Sequence, residues 1–240
     1  MPDVNQLDIL AIAAHPDDAE ITCGGLLIKM AELGRKTGVL DLARGEMGTF
    51  GDHTDRVAEA TAAAGILDLT WREQLGLPDS AIEYNQENKL KIAAVIRGTR
   101  PELIILPHWE QRHPDHLACT RLAYDACFLA GLKKIDIEGE PFRPRKIIYV
   151  TYFRNTDYSF LVDISDQFEK KSEAVAAYKS QFENPGNAKK IFRPGVDVFE
   201  FMRARARQLG TLVGVTYAEA FTVKEHMLLD DPQKMPVQSI

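Results

Sequence analysis

Two short clusters of histidine and aspartate have the composition of a metal site. The first is His15-Pro16-Asp17-Asp18, and the second is His113-Pro114-Asp115-His116. Imidazole and carboxylate groups commonly bind a catalytic zinc ion that keeps one coordination position open for water. Acidic residues also favour helix N-termini, so Asp17 and Asp18 taken alone could equally be helix caps. The presence of two such clusters in one chain favours a metal site.

Each cluster follows a predicted buried strand and precedes a predicted helix. Residues 7–14 form an apolar run that is too short for a core helix, and a helical pattern follows over residues 20–33. Residues 103–106 form a second apolar run, with a helical pattern over residues 115–130. Ligands of open α/β sheets bind at the carboxyl ends of the strands, so we expect the two clusters to meet there.

The first half of the chain alternates strands and helices throughout. Further strands are predicted at residues 37–42 and 67–71, and further helices at residues 55–65 and 87–98. This alternation predicts a Rossmann-like three-layer α/β sandwich, with a mainly parallel sheet and helices on both faces. The glycine motif that binds dinucleotide phosphates is absent after the first strand, which argues against a dinucleotide cofactor.

The second half of the chain has a less regular pattern. Strands are predicted at residues 146–152, 160–164 and 214–221, and helices at residues 168–182 and 196–209. Ser165 is a candidate N-cap, and residues 184–187 form a predicted turn. No linker is evident, so we expect one domain over residues 1–240. Residues 230–240 are expected to be loosely ordered or to pack on a neighbouring subunit.

Composition narrows the class of protein. A length of 240 residues with 45% hydrophobic residues suits one globular domain. No apolar run approaches the roughly 20 residues that span a bilayer, and no secretory leader is evident, so we expect a cytoplasmic protein. The three cysteines have no metal-binding spacing and fit reduced thiols. A net charge of -6 argues against nucleic acid or an anionic membrane as the partner.

The paired clusters resemble the PIG-L/LmbE-like family of zinc N-deacetylases, over nearly the whole chain. Gly24-Gly25 and residues 44–49, 177–182 and 217–221 are similar to the bacillithiol-biosynthesis branch, which deacetylates N-acetylglucosaminyl malate. The resemblance implies a hydrolase that acts on a small amino-sugar conjugate and assembles as a homo-oligomer, with a hexamer as one form. N-acetylglucosamine, chito-oligosaccharides and thiol conjugates are alternative substrates.

The resemblance also implies a metal and a base. His15, Asp18 and His116 match the family's ligands of one zinc ion per chain, for which Fe²⁺, Co²⁺ or Mn²⁺ could substitute. Metal-activated water would attack the amide, with Asp17 as general base.

Four further residues receive roles from the same resemblance. His113 would stabilise the oxyanion or the leaving group, with its protonation state tuned by Asp115 or another carboxylate. Asp115 would orient its neighbours rather than bind the metal. Arg56 and Arg112 would contact substrate, because a guanidinium group suits the paired oxygens of a carboxylate.

Two points of the resemblance stay open. Some relatives use a tyrosine from the C-terminal half to hold the oxyanion, whereas residues 197–199 contain none. Arg44 and Glu46 lie in a long loop, where they would either touch sugar hydroxyls or order the loop itself.

Two alternatives come from other function classes. A metal phosphoesterase also gathers histidine and aspartate at strand ends, but it would normally need further carboxylates for a second metal. A binding module with a structural zinc ion would normally have four protein ligands and more cysteine.

Overall fold

A five-stranded parallel sheet forms the centre of the fold. The computed structural model describes residues 6–48, 50, 53–152, 156–183 and 197–237. The strands are β1 (Ile9–Ala13), β2 (Thr37–Ala43), β3 (Trp71–Leu77), β4 (Leu103–Pro107) and β5 (Lys146–Val150). Their order in the sheet is β3-β2-β1-β4-β5. Strands β6 (Phe160–Asp163) and β7 (Ala218–Phe221) pair antiparallel in a small second sheet.

Helices cover both faces of the central sheet. They are α1 (Asp18–Glu32), α2 (His53–Ile66), α3 (Gln86–Thr99), α4 (Pro114–Ala130), α5 (Phe168–Ala176), α6 (Lys179–Phe182) and α7 (Val198–Val213). A 3-10 turn covers Pro232–Lys234. Within the described ranges, no helix combines the length and the apolar character needed to cross a bilayer.

The buried strand β1 shows why this sequence forms three layers. All five of its residues are buried, as expected when both faces of a parallel strand are covered. Leu10 and Ile12 pack in the cluster that contains α3 and α4 side chains, whereas Ile9, Ala11 and Ala13 pack with α1. Successive side chains point to opposite faces of a strand, so a single apolar run supplies both cores. The predicted three-layer α/β fold is confirmed.

The predicted position of the third strand is wrong. The apolar pattern predicts it at residues 67–71, but β3 is Trp71–Leu77, and Asp68 lies in a left-handed turn with φ of 57°. The strand contains several polar residues, so it does not form an apolar run. One of them, Arg72, pairs with Asp41 on β2 (Nε to Oδ2, 2.9 Å) and with Glu20 on α1. These buried partners make an arginine compatible with the sheet.

Three predictions for the second half also need correction. The expected helix over residues 168–182 is divided into α5 and α6, because the backbone of Tyr178 leaves the helical region with ψ of 66°. The predicted strand over residues 214–221 is limited to Ala218–Phe221. Ser165 does not cap α5; it accepts hydrogen bonds from the amides of Thr216 and Tyr217.

Some predictions fall where the structure gives no description. The predicted turn at residues 184–187, residue 196 of the predicted last helix and residues 238–240 lie outside the described residues. The single-domain interpretation stays a prediction.

Helix α1, which begins at Asp18, is interrupted at Cys23. A buried carboxylate accepts the backbone amides that follow the interruption. Cys23 has non-helical angles, φ of -134° and ψ of 15°. Beyond it, the amides of Gly25 and Leu26 donate to the two carboxylate oxygens of Glu219 at 2.9 and 2.8 Å. Lys171 compensates the buried charge, with its Nζ 2.6 Å from Glu219 Oε1. Glu219 therefore joins β7 to the helix that carries Asp18.

We expect Gly25→Ala to destabilise the protein by about 1–3 kcal/mol, because the added methyl group overpacks this junction. A Cβ at this position would lie 2.8 Å from two carbons of Ile164 and 2.9 Å from Glu219 Oε1. Gly24→Ala is the matched control, since its Cβ would lie 3.4 Å or more from every neighbour. Urea unfolding measures both variants, and equal stabilities would contradict the prediction.

Candidate active site

The two predicted clusters meet at the point where the strand order reverses. β1 and β4 are neighbours in the sheet, yet the following helices α1 and α4 pack on opposite faces. The two connections therefore diverge and leave a crevice at the carboxyl ends of these strands. His15 enters the crevice after β1, and His113 and His116 enter it at the start of α4.

Three side chains in this crevice converge as a metal ligand set. The Oδ2 atom of Asp18 lies 3.4 Å from His15 Nδ1 and 3.2 Å from His116 Nε2. One donor atom from each residue lies within 4.8 Å of the other two. Two nitrogen donors and one oxygen donor match a catalytic zinc site with an open position. His15, His113 and Asp115 form a second possible set, which shares His15 with the first.

The charges around His15 favour a cation. Burial alone would lower the pKa of His15, but hydrogen bonds to Asp115, Asp18 and Asp79 raise it to about 12. Burial alone would raise the pKa of Asp18, but His116 and His15 hold it well below its usual value. Positive charge is thus stabilised here, and the carboxylate of Asp18 is ionised. The residues present therefore fit a metal cation.

Asp17 lies beside the ligand set in a strained backbone conformation. Its φ of 103° is unusual for a residue other than glycine. The Oδ2 atom of Asp17 lies 3.4 Å from both terminal nitrogens of Arg56, whose side chain is only 4% exposed. Burial and the negative charge of Asp18 raise the pKa of Asp17 to about 7, against the opposing effect of Arg56. A carboxylate with this pKa suits proton transfer near neutral pH.

His113 is placed as a neutral hydrogen-bond donor. Its Nδ1 accepts a hydrogen bond from the backbone amide of Asp115 at 3.2 Å, so the neutral ring carries its proton on Nε2. Burial lowers the pKa of His113, and so do His15 and His116. The His113 ring lies 4.9 Å from that of His15 and 5.1 Å from that of His116, between centroids.

The carboxylate of Asp115 bonds to His15 rather than to the ring of His113. Its Oδ2 lies 3.1 Å from His15 Nε2, and its carboxylate also accepts the backbone amides of Ser80 and Ile82. The expected tuning of His113 by Asp115 therefore involves no side-chain hydrogen bond between the two. The carboxylate is instead placed to orient the imidazole of His15.

Asp79 is a site residue that the sequence prediction missed. Its Oδ1 lies 3.2 Å from His15 Nε2, and bonds to His15 outweigh burial and lower the pKa of Asp79 to about 2. It also joins the long loop to the site: its Oδ2 accepts the amide of Met47, and its own amide donates to Glu46, both at 3.0 Å. With β3 ending at Leu77, Asp79 follows a strand end, the same signal that located the two clusters.

The long loop that carries Arg44 and Glu46 also packs beside the site. Gly45 has φ of 76°, and a Cβ there would lie 2.8 Å from Arg56 Nε. Arg44 lies against Gly76, with its terminal nitrogen 3.0 Å from the position of a Cβ. Arg44 therefore packs on Gly76 and Glu46 accepts the amide of Asp79, while contact of either residue with sugar hydroxyls stays a prediction. Arg112 is exposed beside His113.

Comparison with known proteins identifies the family. Residues 10–127 match the family model described as GlcNAc-PI de-N-acetylase, or PIG-L. A diacetylchitobiose deacetylase from Thermococcus kodakarensis is 31% identical over 225 residues, which cover 88% of this chain and 80% of that protein. The chain belongs to the PIG-L deacetylase family. It is a hydrolytic N-deacetylase, so the interpretation as a binding module falls away.

The chain is also similar to a solved structure and to a second deacetylase. A conserved protein from Thermus thermophilus has a crystal structure that superposes with a TM-score of 0.85 at 40% identity, covering 93% of this chain and 97% of that one. A 1D-myo-inositol 2-acetamido-2-deoxy-alpha-D-glucopyranoside deacetylase from Thermomonospora curvata is 28% identical over 174 residues, 58% of each chain. The substrates named for the two deacetylases are acetylated amino sugars.

Proposed function

We propose that this PIG-L protein is a zinc-dependent deacetylase of N-acetylglucosaminyl malate, in bacillithiol biosynthesis. The observation that carries the proposal is the position of Asp17, a carboxylate that pairs with the buried Arg56 directly beside a set of three possible ligands. The malate conjugate is supported by the branch-like segments, among them residues 44–49 and 177–182. Diacetylchitobiose is the second candidate substrate, because a 31% identical relative is a diacetylchitobiose deacetylase.

The residues of the crevice have separate roles in the reaction. A zinc ion held by His15, Asp18 and His116 would polarise the amide carbonyl and strengthen water as a nucleophile. Asp17 accepts a proton from the attacking water and returns it to the leaving amine nitrogen. His113 donates from Nε2 to the carbonyl oxygen as negative charge develops there.

Arg56 and Arg112 differ in what they can contribute. Arg112 is exposed, where a guanidinium group could bind the carboxylates of malate. The terminal nitrogens of Arg56 already contact Asp17 and the carbonyl of Pro16. We therefore propose that Arg56 holds the general base, in addition to or in place of the substrate contact implied by the resemblance.

We expect Arg56→Lys to lower kcat by about 10- to 100-fold with much less change in KM, because a lysine cannot hold both oxygen partners and the base is misplaced. Steady-state kinetics on the best substrate measures both constants. Arg35→Lys is the matched control, since the side chain of Arg35 is 63% exposed and its salt bridge lies outside the crevice. A change in KM alone would instead assign Arg56 to substrate binding.

The test of the proposed substrate is amine release from N-acetylglucosaminyl malate, diacetylchitobiose and N-acetylglucosamine by the zinc-loaded protein. A strong preference for the malate conjugate supports the proposal, and a preference for diacetylchitobiose selects the second candidate. No turnover of any of the three by zinc-loaded protein would move the search to other N-acyl compounds.

The phosphoesterase alternative has weak support in the described part of the chain. Its second metal would need ligands of its own, whereas both possible sets there depend on His15. The homo-oligomer, its hexameric form and the cytoplasmic location remain predictions from the sequence.

A further inference from the structure

Tyr152 contacts two of the three proposed metal ligands. It lies just beyond β5 and is 8% exposed. Its hydroxyl group bonds to Oδ1 of Asp18. Its ring stacks on the imidazole of His116, with centroids 5.1 Å apart and planes inclined by 23°. One side chain thus holds one ligand by a hydrogen bond and another by ring packing.

The two oxygens of Asp18 have separate partners. Oδ2 is the atom that lies 3.4 Å from His15 Nδ1 and 3.2 Å from His116 Nε2, so it belongs to the ligand set. Oδ1 is bonded to Tyr152. An ionised carboxylate can only accept hydrogen bonds, so the tyrosine hydroxyl is the donor and Oδ1 is the acceptor.

The backbone before Tyr152 is fixed to the segment that carries His116. β5 pairs with β4 as far as Pro107 and Val150. The carbonyl of Val150 accepts hydrogen bonds from the amide of His108 at 2.7 Å and from the side chain of Gln111 at 3.2 Å. The chain that leaves β5 and the chain that leads from β4 to α4 are therefore held together at the sheet edge, which makes Tyr152 a fixed support.

We propose that Tyr152 is a positioning residue that makes Asp18 a ligand through one oxygen and fixes the ring plane of His116. The inference rests on the metal site of the proposed function. A carboxylate with two free oxygens can bind a cation through one or both. With Oδ1 occupied, Asp18 supplies one oxygen, and the two imidazoles complete the three donors of an open zinc site.

Tyr178 provides a matched control for this inference. It is also a buried tyrosine whose hydroxyl group donates to a carboxylate of α1, Glu20, at 2.9 Å. Glu20 is not part of either possible ligand set. Tyr152→Phe and Tyr178→Phe therefore each remove one buried oxygen atom that contacts the same helix, and only the first removes it from a ligand.

The test measures zinc dissociation constants of the full chain by competition with a chromophoric chelator. We expect Tyr152→Phe to weaken zinc binding by about 10- to 100-fold, the usual effect of removing a group that orients a ligand, and Tyr178→Phe to change it by less than about threefold. In the Co²⁺-substituted protein, the visible absorption should weaken in Tyr152→Phe alone, as Asp18 becomes free to bind through both oxygens and the coordination number rises.

Asp18→Ala distinguishes a failure of the role proposed for Tyr152 from a failure of the metal site itself. If Asp18→Ala loses zinc while Tyr152→Phe binds it within about threefold of the wild-type constant, the role of Tyr152 is overturned and the metal site stands. If Asp18→Ala keeps one zinc ion per chain, the metal site of the proposed function fails first. Equal weakening in Tyr152→Phe and Tyr178→Phe would indicate a general packing effect and would also overturn the inference.

Discussion

Replacing Asp17 with asparagine is expected to lower kcat by about 10²- to 10⁴-fold while the protein keeps its metal. Asparagine has the same shape and tolerates a positive φ, so the backbone at φ of 103° should be retained. Its amide cannot accept a proton from water, which removes the general base without removing a ligand. Single-turnover amine release and metal content, measured on the same preparation, check the two halves of the prediction.

Asp68→Asn is the control for this substitution. Asp68 also has a positive φ, 57°, but it is exposed in the turn after α2 and outside both possible ligand sets. We expect its kcat to equal that of the wild type. A kcat for Asp17→Asn within about tenfold of the wild-type value would assign the base to another carboxylate, with Asp79 and Asp115 as the next candidates.

The two clusters could be found from sequence because their strands are buried on both faces. A strand such as β1 is apolar throughout, and the polar residues that follow it mark its carboxyl end. The sheet order, which brings β1 and β4 together, could not be read from these local patterns. The alternation of strands and helices nevertheless restricts the site to one edge of a parallel sheet, which is where the structure places it.

Asp79 could not be predicted, because the strand before it depends on distant partners. Arg72 lies within β3 and would be costly there without Asp41 and Glu20, which come from β2 and α1. A local sequence window contains neither partner, so the pattern does not identify the segment as a strand. Because that strand is not predicted, Asp79 cannot be recognised as a residue at a strand end.

Tyr152 and Arg56 show a second limit, which concerns roles rather than positions. A tyrosine after an apolar strand is typical of a hydrophobic core, and only the fold brings its hydroxyl group to Asp18. An arginine matched to a family position suggests a substrate contact, and only the fold shows its guanidinium group against Asp17. Side chains that act on other side chains leave no spacing signal, because their partners are distant in the chain.

Removing either a carboxylate or an imidazole from the ligand set is expected to abolish stoichiometric metal binding. Asp18→Ala and His116→Ala should each bind zinc at least about 100-fold more weakly than the wild type, since losing a ligand must exceed the tenfold to hundredfold effect of losing a group that orients one. Equilibrium dialysis against buffered zinc, followed by metal analysis, measures the effect. Circular dichroism confirms that each variant is folded.

His108→Ala is the control that separates ligand loss from the loss of any buried histidine at this sheet edge. His108 follows β4 and is 3% exposed, but its Nδ1 accepts the amide of Glu110 at 3.0 Å, and it belongs to neither possible ligand set. Its zinc affinity should match the wild type. If Asp18→Ala and His116→Ala were folded and still held one zinc ion, the metal would have to use the alternative set of His15, His113 and Asp115. His113→Ala would then lose the metal, which the present assignment does not allow, because it gives His113 a proton to donate rather than a lone pair to share.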